Sequence, residues 1–231
     1  MLSAFSDAFQ LLGVLDTNLL GIVYVSLQVS ITALLIGCIL GMPLGALIAI
    51  KNFPGRQGIV VVLNSLMGVP TVIVGVIIYL LLSRTGPLGE LNWLFTPKGM
   101  ILAQTALTTP LIAALTRQTI EDAWHIHGET MSALRLPVLA KLKWLMWDCR
   151  FSLSIALLAG FARAISEVGA VMIVGGNIDR ATRTMTTAIA LETSKGDLPL
   201  ALALGMVLLG VVLFANLMTS VIKSIAERRY G

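Results

Sequence analysis

The stretch Thr17–Ile50, TNLLGIVYVSLQVSITALLIGCILGMPLGALIAI, runs for 34 residues without a charged side chain. Wound as one helix it measures about 50 Å, well beyond the ~30 Å hydrocarbon core of a bilayer. It therefore reads as a long first membrane span, 18–50, whose last turns emerge among the headgroups. Gly41-Met42-Pro43-Leu44-Gly45 offers a kink near its end. The rest of the chain agrees. Of its 231 residues 57% are hydrophobic and only 12% charged, against about 25% charged in a typical soluble domain. That composition excludes a soluble enzyme, a disordered chain and a disulfide-stapled secreted domain. Four more apolar segments read as spans: 58–82 (interrupted by Gly68-Val69-Pro70), 99–116, 151–175 and 198–222. The expected fold is all-α and integral to the membrane, a single domain with five transmembrane helices. Cys38 and Cys149 stand far apart in no metal or redox spacing, and read as plain membrane or interface residues.

The net charge is +4, and its basic residues sit in a few short loops, which sets orientation and gives no reason to expect a nucleic-acid partner. Lys51, Arg56, Arg117, Arg135, Lys141, Lys143, Arg150, Lys223, Arg228 and Arg229 fall on one side. Arg84, Lys98, Arg180, Arg183 and Lys195 fall on the other, and Arg163 lies within the fourth span. Ten against five places 51–57, 117–150 and 223–231 in the cytoplasm and the N-terminus outside. No Lys or Arg precedes Lys51, which suits that topology and argues against a cleaved leader. Residues 3–16 set Phe5, Phe9, Leu11, Leu12 and Leu15 among polar neighbours, as an interfacial amphipathic helix or a frayed tail would.

Three features go beyond topology. The segment 117–150 is far too long for a turn. Its Glu121, Asp122, Glu129, Arg135, Lys141, Lys143 and Asp148 alternate with Ile120, Trp124, Met131, Leu134, Leu136, Leu139 and Leu142. It reads as an amphipathic helix pair broken at Leu136-Pro137, suited to docking a partner or to lying on the membrane surface. Second, Arg163 and Glu167 stand four apart, so on one helix they share a face and can pair. Such a pair lines or gates a solute path, or neutralises itself and fixes packing. Third, Val174–Thr187 combines Gly175 and Gly176 with Arg180, Arg183, Thr182, Thr184, Thr186 and Thr187. It could line the route of an anion that is passed along but not held, or be an ordinary polar outer loop.

No GxxxxGK[ST], HExxH or GxSxG occurs, so neither an ATP site of P-loop type, a metal centre nor catalytic machinery is expected, and no cofactor. His125 and His127 lie two apart and point to different faces of a helix. Against this background Phe161-Ala162-Arg163-Ala164-Ile165-Ser166-Glu167-Val168-Gly169-Ala170 resembles the FARxxxExGA stretch of oxyanion-importing ABC transporter permeases. Gly176-Asn177-Ile178 and Thr182-Arg183-Thr184 resemble its continuation, and Val69-Pro70-Thr71-Val72-Ile73-Val74-Gly75 its proline-valine segment. Ser83-Arg84-Thr85-Gly86-Pro87-Leu88-Gly89 and Met185–Thr193 are most similar to tungstate-type members.

The resemblance implies a type I ABC importer permease fold in a bacterial or archaeal cytoplasmic (inner) membrane. It implies a homodimer with two cytoplasmic ATP-binding subunits that hydrolyse ATP, and an extracytoplasmic oxyanion-binding protein. The chain itself is then non-catalytic. The 117–150 segment becomes the coupling element, with Glu121, Asp122, Ala123, Trp124, Gly128, Leu136 and Pro137 as coupling residues. Arg163, Ser166, Glu167, Gly169, Gly176, Asn177, Thr182, Arg183 and Thr184 become candidates for the translocation path or gate. One departure is visible. The family carries a glycine about thirteen residues before an LP dipeptide. Counting back from Pro137 reaches Trp124, the nearest glycine is Gly128, and Glu121-Asp122-Ala123 only echoes the EAA signature. Tungstate is the expected cargo, and molybdate or sulfate would use the same donors. Two other classes are a stand-alone secondary anion transporter, which moves its solute without ATP, and an intramembrane enzyme or assembly factor. For the last, only Arg163/Glu167 could serve as a catalytic pair.

Overall fold

The structure, a computed structural model, describes residues 17–230, with side chains as far as residue 225, so the interfacial helix considered for 3–16 lies outside the described residues. The described chain is helical, with no strand among its residues: α1 (Thr17–Ile50), α2 (Arg56–Met67), α3 (Thr71–Leu82), a 3-10 turn (Gly89–Leu91), α4 (Pro97–Ala133), α5 (Val138–Asp148), α6 (Arg150–Ile165), α7 (Gly169–Gly175), α8 (Met185–Lys195) and α9 (Leu198–Tyr230). Helices are what a bilayer demands, because hydrocarbon offers no partner for a backbone N–H or C=O. Three of these helices are long and apolar enough to cross a membrane, α1, α4 and the Leu198–Ile225 part of α9, and up to five crossings result if each bent pair, α2–α3 and α5–α6, counts as one. This is the architecture of a multi-pass membrane protein.

The helices follow the expected spans in some places and depart from them in others. Helix α1 runs unbroken through Pro43 to Ile50. The segment 58–82 is divided: α2 stops at Met67 and α3 restarts at Thr71, because Pro70 lacks an N–H and drives the residue before it out of the helical region. At 12 residues each, the two pieces are about 18 Å long, too short to cross alone. Helix α4 continues through the 99–116 span, past the internal Pro110, into the 117–150 segment as far as Ala133. The break foreseen at Leu136-Pro137 is present, with Arg135 in the left-handed region (φ 51°). After it α5 and α6 meet at 75°.

The fourth span, read as 151–175, is interrupted. Helix α6 ends at Ile165 and α7 begins at Gly169. Glu167 is buried in the gap, and its Oε1 accepts the Ala170 N–H at 3.1 Å. It thereby satisfies one of the amides that a helix start leaves without a partner. The expected Arg163–Glu167 pair is corrected here. The shared face that would pair them belongs to a continuous helix; here the helix ends between the two, Glu167 turns to the Ala170 N–H, and Arg163 stays exposed and makes no ion pair with Glu167. A further element is α8, which begins at Met185, within the last residues of the 174–187 stretch that could be an ordinary polar outer loop. Its start is a capping box: Thr184 Oγ1 accepts the Thr187 N–H at 3.4 Å, and the Thr184 N–H donates to Thr187 Oγ1 at 3.0 Å. Gly196, at φ 85°, closes the other end.

The chain forms two compact units. The first comprises 17–33, 70–106 and 162–214 of the described residues. Val29, Met100 and Val171 form a buried cluster there, flanked by Val25 and Ile101. Gly75 lets α3 lie against α7: a Cβ there would stand 2.8 Å from the Ala170 Cα. The second comprises 34–69, 107–161 and 215–230. Its organising contact is a glycine ridge on α1. Cβ atoms added at Gly37 and Gly41 would stand 2.7 Å from Thr108 Oγ1 and 2.8 Å from the Thr109 carbonyl oxygen, and one at Gly45 would strike the Ala113 carbonyl. Beyond the ridge, Ala46, Ala49, Ile120, Ala123, Met131, Leu145 and Leu153 form one buried cluster joining α1, α4, α5 and α6.

Gly41→Leu is expected to destabilise the detergent-solubilised chain by about 1–3 kcal/mol or more, since the facing atoms are backbone and cannot yield. Gly58 on α2 faces open space, so Gly58→Ala should be neutral or raise stability by up to about 1 kcal/mol. Thermal midpoints of the two variants check the contrast.

Candidate functional site

The residues singled out for coupling gather in the second unit. Glu121, on α4 past the apolar stretch, is held from both sides. Arg56 Nη2 donates to its Oε1 at 2.6 Å, and Arg117 Nη1 takes its Oε2. Arg56 is the first residue of α2, and its Nε also donates to the Ile48 carbonyl at 2.8 Å. Ala123 is buried in the apolar cluster, while Asp122 is exposed. Trp124 and Gly128 are in contact, since a Cβ on Gly128 would stand 2.9 Å from the Trp124 ring. The displaced glycine thus gives the indole its place, and Lys141 Nζ sits 5.2 Å from that ring's centroid. Leu136 packs on the cluster, and its N–H donates to the Met131 carbonyl at 3.3 Å, tightening the turn before Pro137. His127 stacks edge-on against Trp144, with centroids 5.1 Å apart, and its Nε2 lies 3.8 Å from Asp148 Oδ2. Outside, α5 exposes large apolar side chains, Leu139 at 79% and Trp147 at 71%, beside the exposed charges of Lys143 and Asp148. Arg150 lies over the Trp147 ring at 4.8 Å.

The residues singled out for a translocation path lie in the first unit. Gly169 packs on the start of α3, where a Cβ would meet Val72 Cγ2 at 2.8 Å and Thr71 Oγ1 at 3.1 Å. The proline-valine segment and the Glu167-Val168-Gly169-Ala170 stretch are therefore neighbours. Gly176 (φ 71°) and Asn177 (φ 50°) make the turn after α7 in the left-handed region. Thr182 pins that turn: its hydroxyl donates to the Gly175 carbonyl at 2.6 Å and accepts the Ile178 N–H at 3.0 Å. Thr184 is buried in the capping box of α8, and Thr186 donates to the Glu167 carbonyl at 2.7 Å. Asn177 Nδ2 reaches the Thr187 carbonyl at 3.4 Å. Arg183 pairs with Asp179 at 3.0 Å and lies 3.9 Å from the buried Glu192. These threonines hold the segment's shape, and their hydroxyls point inward. Arg163, Ser166, Gly176 and Arg180 remain exposed on this unit. A cavity of about 580 Å³ opens nearby, lined among others by Asn18, Tyr24, Gln28, Arg180 and Arg183.

Two participants escape a reading by motif. Arg56 looks like one more orientation charge, because its partner lies 65 residues away. The glycine ridge had a visible signal, the four-residue spacing of Gly37, Gly41 and Gly45, which is the pattern for close helix approach in lipid. Within the described residues no group of three or more His, Cys, Asp or Glu is placed to hold a metal ion.

Burial pushes the Glu121 carboxyl up, but the hydrogen bond from Arg56 and the charges of Arg117, Arg56 and His125 together outweigh it and hold it below its ordinary value of 4.5. A carboxylate depressed on folding lends stability that is complete above its unfolded value and is lost as pH falls through its folded one. The stability gap between the native chain and Glu121→Gln should therefore stay constant from neutral pH down to about 4.5. Below that it should close. Thermal midpoints across that range check the sign.

No protein-family model matches the chain. Curated proteins do. It is 42% identical to the tungstate uptake system permease protein TupB of Peptoclostridium acidaminophilum, over 96% of each chain. It is 40% identical to a probable anion ABC transporter permease protein of Haloferax volcanii, over 87% of this chain and 88% of that one. To TupB of Campylobacter jejuni it is 38% identical over 74% of this chain and 72% of its relative. Identity of this extent, carried by a fold of long apolar helices, makes the chain a member of the anion ABC transporter permease family.

Proposed function

We propose that the chain is the membrane-spanning subunit of an ATP-driven importer that carries a tetrahedral oxyanion, tungstate first, into the cytoplasm. The observation that carries this reading is the end-to-end likeness to a tungstate uptake system permease protein. In this reading the chain crosses a bacterial or archaeal cytoplasmic membrane five times with its N-terminus outside. The crossings are α1, the broken pair α2–α3, the apolar part of α4, the interrupted 151–175 segment and α9. Two copies enclose the path. Two ATP-binding subunits supply the hydrolysis that the permease does not perform, and an extracytoplasmic binding protein delivers the anion.

The α4–α5 turn and the outer face of α5 form the docking surface for the ATP-binding subunits. The support is the exposed Leu139 and Trp147 on an amphipathic segment of mixed charge. Such a subunit works by linkage. ATP binding favours one arrangement of the coupling segments, and loaded binding protein favours the same outward-facing state. Hydrolysis removes the first preference, and the path opens inward. The anion must be held weakly enough to leave, so a few exposed donors such as Arg163 and Ser166 suit the task better than a closed cage. Residues whose polar groups are spent inside the unit, Thr182 and Thr184 among them, shape the path's wall.

Reconstituted with its ATP-binding subunits and binding protein, the chain is expected to accumulate tungstate in vesicles only when ATP is supplied. Accumulation of molybdate or sulfate in place of tungstate moves the assignment within the class. Oxyanion flux through the chain alone, without ATP, overturns it in favour of a secondary transporter. Arg163→Gln should lower tungstate uptake by about tenfold or more, the scale of one lost charge-assisted hydrogen bond to an anion. Its thermal midpoint should stay near that of the native chain, because Arg163 makes no ion pair with Glu167.

A further inference from the structure

Arg56 ties two pieces of chain that have no covalent reason to move together. Its Nε donates to the Ile48 carbonyl at 2.8 Å and its Nη2 to the Ala49 carbonyl at 3.5 Å. Both carbonyls belong to the last turn of α1, where helix carbonyls lack intrahelical partners and the dipole is negative. The same Nη2 reaches Glu121 Oε1 at 2.6 Å. Glu121 rides on α4, inside the coupling segment, and its second oxygen is taken by Arg117. Both carboxylate oxygens therefore already hold a partner within the chain. The side chains of Arg56, Arg117 and Glu121 are between 15% and 24% exposed, sheltered enough for the contacts to hold a fixed geometry. Ala46 and Ala49 pack beside them against Ile120 and Ala123, so the joint has an apolar bearing and a charged pin. The pin faces a cavity of about 440 Å³ lined by Asn52, Trp124, His125 and Glu129 among others.

We infer that Arg56, clamped between Glu121 and the final carbonyls of α1, is the positioning residue that passes movement of the 117–150 segment to the C-terminal end of α1 and the start of α2. The inference rests on the proposed function, since it needs 117–150 to be the driven segment. It gives Glu121 a part within the subunit, as the α4 end of the clamp. The apolar bearing alone resists separation of α1 from α4 but allows sliding. A directional, charge-assisted contact fixes the register, and without it the driven segment can move while α1 stays behind.

The test uses the complete complex in vesicles, with tungstate uptake and ATP hydrolysis measured together for the native chain, Arg56→Gln, Arg56→Lys and Glu121→Gln. Arg56→Gln should still assemble and hydrolyse ATP, with uptake per ATP reduced about fivefold or more, the lower end of typical coupling between sites. Arg56→Lys, which keeps the charge, should recover part of that ratio. Glu121→Gln leaves Arg56 on the α1 carbonyls and removes the charge that holds it, and Arg117, to that position of α4. It should uncouple in the same way, and it decides the matter if Arg56→Gln fails to assemble. An unchanged uptake-to-hydrolysis ratio in the assembled variants overturns the inference. So does a proportional fall in both activities, or failure of both variants to assemble, each of which marks the cluster as purely structural. A native complex that hydrolyses ATP without accumulating any oxyanion counts instead against the proposed function.

Discussion

Much of the second unit depends on how closely α1 can approach α4. In hydrocarbon two apolar helices gain little by touching, because lipid tails are as apolar as leucine. Association has to come from close packing and polar contacts. Gly37, Gly41 and Gly45 remove the side chains that would hold the backbones apart, so α1 rests on Thr108, Thr109 and Ala113. That distance brings Ala46 and Ala49 into the cluster around Ile120 and Leu145. It also lets the residue opening α2, Arg56, reach a carboxylate on α4. A wider separation would leave Glu121 to Arg117 alone and the last carbonyls of α1 without a cation.

The first unit solves a different problem, the burial of polar side chains in a largely apolar chain. Ser26, Thr182, Thr184, Thr186, Thr187 and Glu192 are all buried, and an unpartnered polar group in such surroundings is costly. Each is engaged. Ser26 donates to the Ile22 carbonyl at 2.9 Å and accepts the Met185 N–H at 2.7 Å, which fastens the start of α8 to α1. Thr186 fastens the same turn to the break at Glu167. A short helix, a broken helix and a left-handed turn are thus stitched into one rigid piece. The outer surfaces of the long helices show the complementary pattern, with Ile39 72% and Phe214 65% exposed, as lipid-facing positions should be.

How far the sequence could be read depended on whether a feature is local. Uncharged runs such as Thr17–Ile50 announce a membrane helix because the bilayer's thickness and the helix rise are fixed quantities. The break at Leu136-Pro137 is equally local, since proline acts on its own neighbours. The FARxxxExGA likeness carried the family assignment. It did not reveal that the helix ends within the motif. The spacing of Arg163 and Glu167 favours a salt bridge on a continuous helix, and it equally allows the carboxylate to cap a new helix at Ala170. The two arrangements exclude each other, and composition does not choose between them.

What the sequence determined by itself, then, is the class of molecule: helical and membrane-embedded, with most of its basic charge gathered in a few short segments. Those properties follow from burial costs that each segment meets on its own. Only the tertiary structure decided the partners, placing Arg56 on Glu121, Trp124 over Gly128 and Ser26 under Met185. Each of those contacts depends on the distance between helices, which is set by the summed packing of many side chains and is written in no single stretch of the chain.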